Sequence, residues 1–264
     1  MQNQTESRLL LDAPAALATS AREGLSNSYS FLSTREVVSA LEVDNWQVVS
    51  ARQTRAKNPA LNPHRKHEVI LADRDALKGG YSIFSEVPRI ILSNSHDGGA
   101  SFKLQAGLWR VVCSNGMVVS DGLIQAVSIR HHRRTTEEIL VTAQAFRENA
   151  SLISDHVGAF KSTELSAAAA VEFVRQAIAL RHQDDEAVVE IQDLLRPQRS
   201  EDVGNSLWTV FNRSQEYLLK GGYPVYRQTA TDWVSRKAKA IRAIDDSSKL
   251  NTGLWALAEQ FSLN

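Results

Sequence analysis

Residues 87–130, VPRIILSNSHDGGASFKLQAGLWRVVCSNGMVVSDGLIQAVSIR, are short apolar runs cut by three turn signals: Asp97-Gly98-Gly99, Asn115-Gly116 and Asp121-Gly122. Such clusters supply the positive backbone angles that tight hairpins need. The spacing predicts an antiparallel meander of strands Pro88–Asn94, Ser101–Val112, Met117–Val119 and Leu123–Arg130. In the second run Phe102, Leu104, Ala106 and Leu108 alternate on one face, and then Trp109 and Val111 continue in the opposite phase. Strand side chains alternate with a period of two, so that slip asks for one extra residue, and a bulge is expected at Gly107.

Upstream of the meander, Ser33 and Thr34 offer hydroxyl caps before Glu36, Val37, Val38 and Leu41, which predicts a short helix. WQVVSARQTRA (46–56) and HEVILA (67–72), joined by a polar stretch with Pro59 and Pro63, predict an antiparallel ribbon with a long basic connection. Downstream the period changes. Thr135 or Thr136 caps a helix with Glu137 and Glu138 in its first turn, and Ile139, Ala143, Phe146, Ala150, Ile153 and Val157 form a seam on one long helix. Further helices are expected over 165–182, 204–220 and 229–246, with an amphipathic turn or two at 250–261. The class expected is α+β: an N-terminal antiparallel β-meander with short helices over 1–134, then a helical region over 135–264 packed on it, the whole being two domains or one continuous one.

With 43% hydrophobic and 23% charged residues over 264 positions, the chain can bury a real core. No apolar run approaches the roughly 18 residues of a spanning helix, and the start lacks the basic charge of a signal peptide. One cysteine, Cys113, excludes an intramolecular disulfide and suits a reducing compartment. A cytoplasmic protein without a membrane partner is expected. Formal net charge is zero, but residues 1–134 carry 16 Lys and Arg against 12 Asp and Glu, and residues 135–264 carry 14 against 18. Such asymmetry fits an anionic partner on the front half, or head-to-tail contact in a homo-oligomer.

Phosphate-loop, dinucleotide, zincin and nucleophile-elbow motifs are absent from the sequence, which points away from catalysis, and no cofactor or metal is expected. Basic residues are better organised. Arg52, Arg55, Lys57, Arg65 and Lys66 cluster on the ribbon and its connection, and Arg130, Arg133 and Arg134 flank His131 and His132; both groups suit phosphates, with Trp46, Tyr81 or Phe84 available to stack on bases. Solvated surface loops would look the same. A second candidate site is Asn94, His96, Asp97 and Asn115, where an imidazole beside a carboxylate at a hairpin tip could serve as acid and base or bind a metal. Turn chemistry explains Asp97 before two glycines more simply. Cys113 reads as a small buried hydrophobe rather than a nucleophile. His64 with His67 makes a poor ligand pair, and Asp73 with Asp75 serves as a helix cap at least as well as a magnesium site. Arg236, Lys239 and Arg242 are expected on one solvated helix face, and Trp208, Phe211, Leu218, Trp233 and Trp255 in the core.

Four strings, SYSFLSTREVVSALEVDNW (28–46), LSNSHDGGASFKLQAGLWRVVCSNGM (92–117), RSEDVGNSLWTVFNRSQEYLLKGG (199–222) and LNTGLWALA (250–258), resemble the phage/plasmid-like protein family, domain of unknown function 932. That resemblance spans most of the chain. It implies a home on mobile genetic elements, among genes for recombination, single-strand binding and anti-restriction, and it identifies no catalytic residue. A β-meander followed by a long helix is also the plan of single-strand annealing proteins, which hold DNA in a basic groove on a ring. The leading expectation is a mobile-element accessory that binds nucleic acid, single-stranded DNA favoured. The alternatives are an anti-defence factor binding a host protein through the heptad seam or the acidic run 184–186, and a metal- or histidine-assisted enzyme at His96 and Asp97.

Overall fold

A computed structural model describes residues 9–263 apart from 10, 28, 79–85, 111–115, 119–126, 130–135, 149 and 183–186. The chain divides into two units, Met1–Val112 with Asp121–Ser151, and Cys113–Ser120 with Leu152–Asn264. The class is α+β, an N-terminal antiparallel sheet with short helices followed by a helical C-terminal half.

In the first unit, helix α1 (Thr34–Val43) starts where Ser33 Oγ accepts the Glu36 N–H at 3.2 Å and buries Val37, Val38 and Leu41. Strands β1 (Trp46–Gln53) and β2 (His67–Asp73) form the expected ribbon. A one-turn helix α2 (Arg74–Lys78) follows, then β3 (Glu86–Asn94) and β4 (Phe102–Arg110). The order is β1-β2-β3-β4, each pair antiparallel, and β6 (Val127–Ile129) pairs with the start of β4; β5 (Gly116–Val118) lies in the second unit's part of the chain. The expected strand of 123–130 is thus three residues within its described part. Helix α3 (Thr136–Glu148) closes the unit.

The bulge is not at Gly107. Register runs unbroken from Glu86 opposite Arg110 to Ser93 opposite Lys103, and Gly107 sits squarely opposite Arg89. Ile90, Ile91 and Leu92 are buried in succession, as are Ala106 and Gly107. A strand covered on both faces need not alternate, so a phase change in its apolar pattern demands no inserted residue. The irregularity lies instead in edge strand β1, between Val48 and Ser50. There Trp46 and Val48 point into the core, Val49 is the extra residue, and Ala51 resumes inward in the other phase.

The seam expected on one long helix is helical on both sides of residue 149, which lies outside the described residues: α3 precedes it and α4 (Ala150–Ser162) follows. Ile139, Ala143, Phe146 and Val157 are buried as the seam requires. In the second unit α5 (Ala167–Arg181) and α7 (Leu207–Lys220) are capped by Ser166 and Ser206, and both pack on α8 (Ile244–Ser262), with the short α6 (Ile191–Leu195) beside them. Trp208 and Phe211 stack at 5.7 Å, and Phe211 meets Trp255 edge-on at 6.2 Å. Helix α7 is buried nearly all round, and its polar residues find partners inside: Arg199 and Lys220 bind Glu216, and Gln215 donates to Asn251. Those contacts hold Glu216 below the usual carboxylate range against the opposing effect of its burial.

Of the helix expected over 229–246, residues 229–243 are not helical, and 244–246 are the start of α8. β8 (Pro224–Gln228) and β9 (Trp233–Lys237) form a hairpin, with β7 (Ala187–Val188) on the far side of β8. Gly221 ends α7 at φ 72°, where an added Cβ would meet the Ala238 carbonyl oxygen at 2.4 Å. Gly222 N–H donates to that same carbonyl at 2.9 Å, and Ala238 N–H returns a bond to Tyr223 at 2.8 Å. The close backbone approach turns the chain into a strand where the i, i+3 spacing of Arg236, Lys239 and Arg242 had suggested a helix. Trp233, expected in the core, is 52% exposed on this hairpin.

Candidate nucleic-acid interface

The ribbon brings its basic residues together but treats them differently. Arg52 and Glu68 are directly opposite in register, and Arg52 Nε binds Glu68 Oε1 at 2.8 Å with the carboxylate nearly buried. Arg65 Nη1 reaches Asp97 Oδ2 at 3.3 Å. Both cations therefore have carboxylate partners within the fold, which reduces the charge they present to a phosphate. Arg55 and Lys57 are exposed, and Lys66 is half-buried.

Their connection has a defined shape. Thr54 donates to the Lys66 carbonyl through its N–H (2.9 Å) and its hydroxyl (3.1 Å). Ala56 N–H donates to Asn62 Oδ1 at 2.8 Å, and Asn58 Oδ1 caps the 3-10 turn Pro59–His64 by accepting the Ala60 N–H at 3.1 Å. Arg55 and Lys57 thus leave a pinned backbone. Arg130, Arg133, Arg134, His131, His132, Cys113, Asn115, Tyr81, Phe84 and residues 184–186 lie outside the described residues. Trp46 is no base-stacking platform: it is buried, with the Arg147 guanidinium 5.2 Å from its ring centre.

The turn at 97–99 forms as its residues require. Asp97 Oδ1 accepts the Gly99 N–H at 2.9 Å and Gly98 takes φ 75°. His96 does not stand at an exposed tip; it is fully buried, as are Asn94 and Ser95. Its main chain is fastened on both sides, N–H to the His64 carbonyl (2.9 Å) and carbonyl to the Arg22 N–H (2.8 Å). Its ring packs between Phe31 and His67, with centres 4.8 and 5.1 Å away.

A directed hydrogen-bond chain runs through this interior. Asn94 Nδ2 donates to the Leu32 carbonyl (3.1 Å) and to Thr34 Oγ1 (3.0 Å). His67 Nδ1 lies 3.0 Å from the Arg65 carbonyl, which only accepts, so Nδ1 carries the proton. In the neutral ring Nε2 is then the acceptor, and the Thr34 hydroxyl, 2.8 Å away, donates to it. That hydroxyl's one hydrogen is used, so the longer contact at 3.5 Å to His96 Nε2 needs His96 to be the donor. Burial lowers His67 to about pKa 4, against smaller upward pulls from the Arg65 carbonyl and Asp97. Burial, with Asp97 nearby, raises Tyr29 to about 12, and its hydroxyl donates to the Ser95 carbonyl at 3.1 Å. The arrangement stores a neutral imidazole and joins the start of α1 to the ends of β2 and β3.

Asp73 and Asp75 resolve as structure. Asp73 Oδ1 caps α2 by accepting the N–H groups of Asp75 (2.9 Å) and Ala76 (3.0 Å), and its Oδ2 takes Arg147 Nε at 2.9 Å. Sequence reasoning weighed His67 only as a metal ligand and Thr34 only as a cap, because nothing local says that residues 33 and 62 positions apart meet. It also missed the hairpin, although Gly221-Gly222, Pro224 and the β-formers Val225, Tyr226, Trp233 and Val234 were a strand signal.

No helix among the described residues is long and apolar enough to cross a membrane. The chain is 30% identical to the UPF0380 protein YafZ of Escherichia coli strain K12 over 255 residues, covering 97% of this chain and 90% of that one. It is 29% identical to the UPF0380 protein YfjQ of the same strain, with the same coverage. No solved structure matches the chain significantly. A family model, the domain of unknown function DUF932, matches residues 23–255. That match takes in the ribbon, the buried Thr34–His67–Asn94 chain and the α7 helix alike, and the chain belongs to the DUF932 family.

Proposed function

We propose that this chain is a mobile-element accessory protein that binds nucleic acid, single-stranded DNA in the first instance, and holds it without catalysing a covalent step. The observation that carries the reading is the exposure of Arg55 and Lys57 on a ribbon connection pinned by Thr54, Asn58 and Asn62. Cations fixed in place before binding lose less freedom when a phosphate arrives. Lys66, whose carbonyl Thr54 binds, adds a half-buried cation, and Arg52 and Arg65 keep their carboxylates and brace the ribbon; Arg130, Arg133 and Arg134, outside the described residues, belong to the reading by sequence.

Titration of a labelled oligonucleotide by fluorescence anisotropy at about 50 and 200 mM salt tests this, because each phosphate contact on a single strand contributes about −0.7 to the slope of log affinity against log salt. The double variant Arg55→Gln, Lys57→Gln should bind more weakly and flatten that slope by about 1.4. Absence of binding at the lower salt, or a slope unchanged in the variant, refutes the reading. Light scattering on the same samples reports whether binding accompanies a multi-subunit particle, as annealing on a ring requires.

A further inference from the structure

We propose that the β8–β9 hairpin is a separate nucleic-acid contact, in which Trp233 and Tyr226 stack on unpaired bases while Lys237 on the same face, with Lys239 and Arg242 just beyond the strand, meets the adjoining phosphates. It shares a ligand class with the preceding reading and none of its residues.

All five residues of β9 are exposed, including Trp233 at 52% and Val234 at 43%, and Val188 on β7 is 42% exposed. The chain's other described tryptophan side chains, Trp46, Trp208 and Trp255, are no more than 4% exposed. Placing a large ring in water forgoes burial worth about 1.5–3 kcal/mol for a large apolar side chain, so this one position differs in kind from the rest.

Register sorts the hairpin's side chains onto two faces. Gln228 is opposite Trp233, Tyr226 opposite Ser235 and Pro224 opposite Lys237, so Tyr226, Trp233 and Lys237 share one face; Val188 joins it, being opposite Tyr226. Arg227 opposite Val234 and Val225 opposite Arg236 make up the other. Tyr226 and Trp233 are diagonal neighbours, spaced so that aromatic side chains act together.

The hairpin is held at both ends. At its tip Thr229 N–H donates to the Asp232 carbonyl at 2.7 Å, Asp232 N–H donates to Thr229 Oγ1 at 3.0 Å, and Asp232 Oδ1 accepts the Trp233 N–H at 2.7 Å. At its base the Arg181 guanidinium donates to the Leu218 and Lys239 carbonyls, and Ile241 N–H donates to the Leu219 carbonyl at 2.8 Å. The ring is therefore presented on a fixed frame.

Charge selects the occupant. From Arg227 to Arg242 the chain has five cations and one acid, Asp232, whose Oδ1 is engaged with the main chain. Arg236, Lys237, Lys239 and Arg242 are exposed and form no side-chain ion pair among the described residues. Cations on an edge strand also deter edge-to-edge pairing, but that does not account for an exposed tryptophan and two exposed valines on the same sheet. An apolar protein patch would gain nothing from five cations. A polyanion with free aromatic faces uses both features, and bases offer those faces only when unpaired.

The full chain is titrated with an oligothymidine and with a blunt duplex, as wild type, Trp233→Ala, Trp233→Phe, Lys237→Gln with Lys239→Gln, and the ribbon double variant. Trp233→Ala should weaken oligothymidine binding about tenfold, as one lost stacked base does, and leave duplex binding and the thermal midpoint unchanged. Trp233→Phe should keep most of the affinity but lose the tryptophan quenching that accompanies binding. Lys237→Gln with Lys239→Gln should weaken both ligands and flatten the salt slope. Unchanged oligothymidine affinity in Trp233→Ala, or equal loss for both ligands, overturns the proposal. If the ribbon variant alone loses affinity, the hairpin proposal falls and the ribbon reading stands; if the hairpin variants alone lose it, the reverse holds. A wild type that binds neither ligand overturns both.

Discussion

Acid should unfold the first unit through His67. Its imidazole is neutral in the fold, with a pKa near 4 where an unfolded chain has about 6.5, because burial disfavours the charged ring and outweighs the upward pulls of the Arg65 carbonyl and Asp97. The unfolded chain therefore takes up the proton first as pH falls. Stability from this group is complete above about pH 6.5, declines as pH drops toward 4, and levels off below. By linkage the loss is about 2 kcal/mol at pH 5 and approaches about 3 kcal/mol at the limit. Urea unfolding followed by circular dichroism and fluorescence between pH 7.5 and about 4.5 measures it, coincidence of the two probes establishing two-state behaviour. Other groups titrate too, so the informative quantity is the difference from His67→Gln, which keeps a donor and an acceptor but cannot charge. That variant should be less stable at pH 7.5 and lose about 2 kcal/mol less on going to pH 5. Proton NMR of the His67 ring should show no charging until well below pH 6. Parallel pH profiles for wild type and variant, or a ring that titrates near 6.5, would refute the reasoning.

Two further substitutions probe the frame around each surface. Thr34→Val keeps the side chain's shape but leaves Asn94 Nδ2 one acceptor short and His67 Nε2 without its donor, at a cost of about 2–3 kcal/mol, whereas Thr34→Ser should recover most of it; chemical denaturation of both decides. Gly221→Ala must move the Ala238 carbonyl and adopt a left-handed backbone angle, so it should cost about 1–2 kcal/mol and speed amide exchange at Gly222, Ala238 and Ile241. Exchange at those amides matching wild type would mean the hairpin base is not set by that close approach.

Much of the fold is written locally. Ser33, Ser166 and Ser206 are caps that a reader can find, because the hydroxyl and the N–H it satisfies are three residues apart. Asp97-Gly98-Gly99 is a turn for the same reason, and the ribbon and meander follow from β-formers between such breaks. The serine caps, the glycine turn and the α+β order were accordingly determined by the sequence alone. What the tertiary structure decided involves partners distant along the chain. Glu68 and Asp97 occupy Arg52 and Arg65, leaving Arg55 and Lys57 exposed, and no pattern within the 51–67 stretch announces that division. His96 looked accessible because its neighbours are turn formers, yet Phe31, His64 and His67 close over it from elsewhere in the chain. The 229–246 stretch misled because an exposed strand has no buried face to impose a period of two, so its charges fell by chance into a helical spacing. The close approach of Gly221 to Ala238 goes with a hairpin in that stretch, which carries an exposed tryptophan with the exposed cations Arg236 and Lys237 on one strand and Lys239 and Arg242 just after it.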